Sequence, residues 1–238
     1  MGILIKILVW IGMKNRNKFI RNLAKIEYGN AIFCEKLADV ALSENRTELA
    51  SLLVKHGKEE NKHGLMLASL ADGQNHFSRT GTGRWVKILR SGENIVKNLI
   101  TTSSHPKVLQ WESKKYPGEQ LTGTLESFDG MSYRYLSARL LFKNVAASDY
   151  SWKDQLAFMY VLEEEVSCLY QELMNTQDTS LSAIASLITE DEFNHANYLK
   201  VTLQRFTESP EEIINKWRGR VWWAKWGLIV DGVMFLFN

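Results

Sequence analysis

Two copies of the pattern Glu-x-x-His constrain this chain more than any other feature of its sequence. The first joins Glu60 to His63, and the second joins Glu192 to His195. Residues three apart lie on one face of an α-helix, about one turn from each other. Each copy therefore predicts a helix that presents a carboxylate and an imidazole to the same point in space.

A Glu on an apolar helical stripe precedes each copy. Glu27 comes before Glu60, and Glu163 comes before Glu192, in both cases by about 30 positions. This spacing suits an antiparallel helix pair joined by a short loop. A Glu in the middle of an apolar stripe is costly unless it is paired or binds a metal, which supports Glu27 as a ligand. Four such helices predict a dinuclear metal site inside a four-helix bundle.

With these residues in this order, the chain resembles the ferritin-like di-iron carboxylate superfamily, which includes rubrerythrins, bacterioferritins and the di-iron oxygenases. The resemblance covers the four bundle helices, about half of the chain. It implies two bound iron ions, with manganese as the other candidate metal. It also implies that Glu60 and Glu192 bridge the metals, that Glu27 and Glu163 bind at the ends, and that each His binds one metal.

The composition predicts an all-α fold. Only three Pro occur in 238 residues, and 45% of the residues are hydrophobic, enough for a sizeable core. We expect a single ferritin-like domain over residues 1–238, with an inserted helical segment in the crossover and extra N- and C-terminal helices. The predicted segments are bundle helices at about 17–41, 47–72, 152–175 and 180–206, an insertion over 73–150 with helices near 84–101 and 125–146, and a Trp-rich helix over 210–238.

Two positions in the second half of the chain leave alternatives open. Glu164 follows Glu163 directly, and the sequence does not decide which of the two is the ligand. Asp191 precedes Glu192 and either orients a ligating imidazole or lies in solvent. Tyr170 comes seven residues after Glu163, where rubrerythrin-like helices often carry a Tyr.

His56 is a further candidate, one turn before Glu60 on the same predicted helix face. It is either an outer or proton-relay group beside the metals, or a surface or core histidine with no role there. The second interpretation is favoured. Glu59 and Glu35 point away from their apolar stripes and are expected to lie in solvent.

Both ends of the chain are apolar and have basic residues nearby. Residues 1–13 are apolar except for Lys6, and the basic residues that follow are Lys14, Arg16, Lys18 and Arg21. The run is shorter than the roughly 20 residues that span a bilayer, and it lacks the features of a signal peptide. Residues 217–226 carry four Trp interleaved with basic residues. Each end suits a membrane interface or a lipid-like partner, or a helix packed on the bundle, and both can hold at once.

Charge and cysteine content narrow the partners that we expect. A net charge of +2 gives no support for a nucleic-acid partner. Two Cys without any Cys-x-x-Cys pattern predict neither a disulfide framework nor a rubredoxin module. We therefore expect a cytoplasmic protein, with membrane association left open, that takes electrons from an external donor. A homodimer also remains open.

The leading functional hypothesis is a di-iron oxidase or oxygenase that acts on an organic, hydrophobic substrate. The alternative enzyme is a ferroxidase or a peroxide-scavenging relative of rubrerythrin. The alternative outside catalysis is a membrane-associated protein that keeps the metal site without turnover. A hydrophobic tunnel to the metals would favour the first hypothesis, and a closed site with an iron-entry channel the second.

Overall fold

The computed structural model describes residues 2–73, 76–79, 85–88 and 136–237, and this part of the chain is mainly helical. Its α-helices are α1 (Gly2–Met13), α2 (Arg16–Ser43), α3 (Thr47–Ala71), α4 (Leu136–Phe142), α5 (Trp152–Met174), α6 (Thr179–Leu203) and α7 (Pro210–Phe237). A 3-10 turn over Ala147–Asp149 precedes α5. Two short strands, β1 (His76–Arg79) and β2 (Trp85–Ile88), pair antiparallel, with His76 opposite Ile88.

The four helices predicted to carry ligands form within a turn of their predicted bounds, as α2, α3, α5 and α6. The helix predicted over 84–101 is wrong at 85–88, which form β2, and its remainder lies outside the described residues. The helix predicted over 125–146 forms at Leu136–Phe142, while 125–135 lie outside the described residues. Trp85 and Val86 are bulky residues that favour strands, which explains this local error.

Local signals set the ends of the long helices. Asp178 begins α6, because its carboxylate accepts a hydrogen bond from the Leu181 backbone N–H at 3.0 Å. Asn45, with φ of 61°, makes the left-handed turn between α2 and α3. Gly73, with φ of 69°, follows the end of α3 in the same conformation, as glycine commonly does after a helix.

The four helices that carry the predicted ligands, α2, α3, α5 and α6, are called the four long helices below. They bury two apolar clusters with a polar layer between them. α2 packs along α3, α5 packs along α6, and α3 also contacts α6. One cluster includes Leu53, Leu156 and Leu199, and the other includes Leu67 and Ile188. The predicted ligands lie at intermediate positions along the same helices, so the polar layer separates the two clusters.

The terminal helices pack on this core through one face each. In α1, Ile5 and Val9 belong to the apolar cluster that includes Leu67. In α7, Trp217 is fully buried and joins the other cluster, and its indole N–H donates to Asp154 at 3.0 Å. Among the described helices, none combines the length and the apolar character that crossing a bilayer requires.

Candidate metal centre

The six predicted ligands meet in the polar layer between the four long helices. α2 supplies Glu27, α3 supplies Glu60 and His63, α5 supplies Glu163, and α6 supplies Glu192 and His195. None of the six is more than 2% exposed. Each lies near the middle of its helix, so the regular helical backbone fixes its position with no loop involved.

These side chains form two overlapping groups that could hold metal ions. Within each group, the ligand atoms all lie within 4.8 Å of one another. One group contains Glu27, Glu60, His63 and Glu192, and the other contains His56, Glu60, Glu163 and His195. Glu60 belongs to both groups, as a carboxylate between two metal positions would.

Glu192 also reaches both sides of the cluster. Its Oε1 lies 3.1 Å from His63 Nδ1, and its Oε2 lies 3.5 Å from His195 Nδ1. On the other side, His195 Nδ1 lies 3.2 Å from Glu60 Oε1. The two motif helices α3 and α6 therefore bring their Glu and His side chains together in a nearly symmetrical arrangement.

The ring nitrogen of each predicted ligand His that faces away from the cluster contacts a carboxylate, which belongs to the other of the two helices with a Glu-x-x-His motif. His63 Nε2 lies 3.0 Å from Asp191 Oδ2, and His195 Nε2 lies 3.0 Å from Glu59 Oε2. A proton on Nε2 in both rings leaves the Nδ1 lone pairs free, and both Nδ1 atoms face the cluster. A carboxylate partner of this kind fixes the tautomer and orientation of a ligating imidazole. Asp191 lies beside His63, where the first of its two open roles requires it, and Glu59, expected to lie in solvent, is partly buried and pairs with His195.

Every predicted ligand has a buried polar atom with no hydrogen-bond partner among the described residues. These atoms are Glu27 Oε2, Glu60 Oε2, His63 Nδ1, Glu163 Oε2, both oxygens of Glu192, and His195 Nδ1. A buried polar group without a partner costs roughly 1–3 kcal/mol, and more when it is charged. A metal cation between these atoms would supply all of them with a partner.

Burial and mutual repulsion perturb the carboxylates strongly. Burial raises the pKa of Glu27 well above its ordinary value, with the charges of Glu60 and Glu192 acting in the same direction. Burial and the charge of Glu60 raise the pKa of Glu192 to about 8. Burial opposes ionisation of Glu60 too, but the imidazoles of His195 and His56 beside its carboxylate hold its pKa well below the usual range. Without a cation, these acids must share protons with the imidazoles.

His56 is a core histidine with a partner on each ring nitrogen, as the core half of its favoured interpretation predicts, and its ring lies inside the cluster. It is 1% exposed, and its Nε2 lies 3.0 Å from Glu60 Oε1 and 3.3 Å from Glu163 Oε1. Its ring stacks on that of His195 with 3.8 Å between centroids. Its Nδ1 lies 2.5 Å from the Tyr198 hydroxyl. His56 therefore joins the cluster to a buried tyrosine that the sequence interpretation did not include.

The structure also places the remaining candidates. Glu163 points into the cluster, whereas Glu164 is half-buried and pairs with Arg218 at 2.9 Å. Tyr170 donates its hydroxyl proton to Glu27 from across the helix interface. Glu163 and Tyr170 are seven residues apart and therefore share the inward face of α5. Glu164 is one residue from Glu163 and lies on a different face.

Sequence reasoning missed Glu59 and Tyr198, although both had a signal. Glu59 precedes Glu60 just as Asp191 precedes Glu192, so the two motifs match at three positions rather than two. Tyr198 follows His195 by three residues and therefore lies on the same face of α6. Extending each motif by one turn would have included both residues.

Comparisons of the chain with models of protein families, with curated proteins and with solved structures found no match. The described residues define a helical protein with a buried Glu/His cluster that could hold metal ions. This cluster is compatible with a di-iron site.

Proposed function

We propose that this protein is a dinuclear-metal oxidoreductase of the ferritin-like type, in which a four-helix bundle holds two metal ions. The observation that carries the proposal is the set of buried, unpartnered ligand atoms on all six predicted ligands. All six side chains also belong to the two groups whose ligand atoms lie within 4.8 Å of one another. Glutamate and imidazole donors suit iron or manganese, and iron is what the family resemblance implies.

Each metal position would draw on one of the two groups of ligand atoms. Glu27 and His63 would bind one metal, and Glu163 and His195 would bind the other, with Glu60 and Glu192 reaching both. His56 would add a third imidazole on the side of Glu163, through its Nε2. In that state its Nδ1 proton would be donated to the Tyr198 hydroxyl oxygen.

Two iron ions held by these residues would supply two-electron chemistry on O2 or peroxide. The residues around them orient the ligands and exclude water. Asp191 and Glu59 hydrogen-bond the imidazoles of His63 and His195. One apolar cluster lies on each side of the polar layer along the helix axes. Electrons would come from a separate donor, because neither Cys34 nor Cys168 belongs to a Cys pair that could hold a redox metal.

We further propose that the substrate is an organic, hydrophobic compound. The chain has apolar, Trp-rich ends beyond those of a plain metal-storing bundle, which supports a lipid-like compound over iron itself as the substrate. A ferroxidase or peroxide scavenger is the alternative. The two differ in what is consumed: a ferroxidase oxidises free Fe(II) repeatedly, whereas an oxygenase or oxidase requires an organic co-substrate.

Metal analysis after anaerobic loading with Fe(II) tests the proposal. We expect about two metals per chain, as a site with four Glu and two His holds. Glu60→Ala and His195→Ala should each remove most of that metal. Glu164→Ala is the matched control, since this Glu lies beside Glu163 but points outward. Circular dichroism would show that each variant remains helical.

Two results would contradict the proposal. Unchanged metal content in Glu60→Ala and His195→Ala would mean that the metal binds elsewhere. Equal loss in Glu164→Ala would mean that the loss follows from general damage to the fold. If the native protein instead binds two metals and oxidises excess Fe(II) over many turnovers, the ferroxidase alternative replaces the oxygenase.

A further inference from the structure

Helix α1 is apolar on both of its faces although it lies at the surface. Lys6 is the only charged residue in Gly2–Met13. Ile5 and Val9 are buried against the core, whereas Trp10 on the outward side is 64% exposed, with Ile7 and Ile11 each 43% exposed. A helix that is apolar all round is normally buried on all sides. The exposed apolar side chains on the outward face of α1 would therefore be stabilised by a second apolar partner.

Helix α7 exposes a cluster of tryptophans in the same way. Its inward side buries Trp217 and Val221, whereas Trp222, Trp223 and Trp226 on the opposite side are each about half exposed. The rings of these three contact one another, with 4.7 Å between the Trp222 and Trp223 centroids. Tryptophan is the residue type most enriched where protein meets the headgroup region of a bilayer.

The two helices flank the same part of α5. Lys225 of α7 pairs with Glu165, and Ile5 and Val9 of α1 belong to the apolar cluster that contains Val166. Helices α1 and α7 therefore both pack on α5. We call their outward faces together the aromatic face, defined by Ile7, Trp10, Ile11, Trp222, Trp223 and Trp226.

The two segments that carry the aromatic face contain an excess of basic residues, of which Arg218 and Lys225 pair with Glu164 and Glu165 of α5. Residues 1–26 contain six basic residues and no acidic one, and residues 213–230 contain four basic residues and no acidic one. Lys14 Nζ lies 4.5 Å from the centre of the Trp10 ring, so a cation accompanies this exposed Trp directly. Two copies of this face would bring like charges together in a symmetrical dimer. An anionic partner matches it instead.

We propose that the aromatic face binds the surface of a negatively charged lipid bilayer. The Trp and Ile side chains enter the headgroup and upper acyl region, and the basic residues on both segments attract the anionic lipids. The inference does not depend on the metal centre, because none of the ligands takes part in it. If both proposals hold, a bilayer is the source from which a hydrophobic substrate would come.

Cosedimentation of the full-length protein with vesicles tests this proposal. Vesicles of phosphatidylcholine with roughly 30% phosphatidylglycerol should bind the protein, and pure phosphatidylcholine should bind it more weakly, since anionic lipids attract nearby Lys and Arg side chains. Raised salt should release the protein. The Trp emission should shift to shorter wavelength on binding, because exposed indoles leave water.

Two sets of variants distinguish vesicle binding through the aromatic face from nonspecific adsorption to lipid. Trp222→Ser, Trp223→Ser and Trp226→Ser combined should lower vesicle binding by about tenfold or more. Trp10→Ser with Ile11→Ser tests the α1 side in the same way. Phe193→Ser is the matched control, because Phe193 on α6 is 63% exposed and lies outside the aromatic face. Metal content and circular dichroism would verify that each variant is folded.

Three results would overturn the proposal. The native protein would fail to bind the anionic vesicles, or Phe193→Ser would reduce binding as much as the triple Trp variant does. Alternatively, the native protein would be an oligomer that the triple variant converts to a monomer, with no lipid binding by either. That last result would assign the aromatic face to a second copy of the chain.

Discussion

At the scale of residues, the most informative feature is the crosswise support of the two histidines. Asp191 of α6 accepts a hydrogen bond from His63 of α3, and Glu59 of α3 accepts one from His195 of α6. The hydrogen bond to His63 lowers the pKa of Asp191 to about 2, and the one to His195 lowers the pKa of Glu59. Both acceptors are therefore charged at neutral pH and hold each ring with Nδ1 facing the cluster.

Removing either acceptor should weaken metal binding without deleting a ligand. We expect Asp191→Ala and Glu59→Ala each to reduce the affinity for Mn(II) or Co(II) by roughly ten- to hundredfold. Glu190→Ala is the control, since Glu190 precedes Asp191 but is exposed. Titration monitored by electron paramagnetic resonance for Mn(II), or by visible absorption for Co(II), measures the effect. Equal affinities in all three variants would show that the carboxylates do not support the site.

The ligands could be predicted from sequence because they share one helix face per motif. Glu59 was expected to lie in solvent, since its position about its own helix axis points away from that face, and only its parallel with Asp191 indicated otherwise. A Glu side chain is long enough to reach sideways to a neighbouring helix, and its partner His195 is distant in sequence. Such a contact depends on the distance between two helices, and the apolar periodicity of one helix gives no information about that distance.

At the scale of elements, two glycines on α3 allow α2 to approach the site closely. A Cβ at Gly64 would lie 2.6 Å from Cε1 of the Tyr28 ring, and a Cβ at Gly57 would lie 3.0 Å from the Ala31 carbonyl oxygen. The two glycines are seven residues apart and flank Glu60. They therefore set the distance at which Glu27 on α2 meets the cluster.

A methyl group at Gly64 should destabilise the fold. Gly64→Ala forces the buried Tyr28 ring to move, and we expect the free energy of unfolding to fall by about 1–3 kcal/mol. Gly219→Ala is the matched control, because a Cβ at this helical position meets nothing within 4 Å. There, Ala should raise the free energy of unfolding by roughly 0.5–1 kcal/mol. Urea titration measures both, and equal signs would contradict the close approach of α2 and α3.

The four long helices could be predicted from their apolar periodicity, and the inserted region could not. Residues 85–88 carry Trp85 and Ile88, whose three-residue spacing fits the apolar stripe of a helix, but also Val86, a residue type that favours strands. A short apolar segment does not distinguish these states, and pairing with His76–Arg79 selects the strand. Ile20, Leu67 and Ile188, by contrast, lie on stripes long enough to define helices without help from any partner.

At the scale of the whole molecule, the proposed metals would lie between two apolar clusters and stabilise the polar layer that separates them. Four buried carboxylates in that layer repel one another, and burial opposes their ionisation. A cation that binds only the folded chain shifts the equilibrium toward it. Metal occupancy should therefore be linked to the stability of all four long helices.

Removing the metal should lower the thermal midpoint of unfolding. With free Fe(II) or Mn(II) at about a hundredfold its dissociation constant, binding adds roughly 2.7 kcal/mol to the free energy of unfolding. A chelator should abolish this increment, and Glu60→Ala should show no response to metal or chelator. Scanning calorimetry on metal-loaded and chelated protein measures it. A native midpoint that does not change with chelator would argue against binding in the polar layer.

The crosswise pairing of Glu59 with His195 and of Asp191 with His63 gives the centre an approximate internal twofold symmetry. The hairpin of α2 and α3 and the hairpin of α5 and α6 each contain a lone Glu, a Glu-x-x-His motif and a carboxylate one residue before it. Neither hairpin can orient its own histidine, because the acceptor belongs to the other. A single ancestral hairpin that associated with a second copy of itself would have placed the same groups in the same relation. The present chain has the organisation that duplication and fusion of such a hairpin would produce.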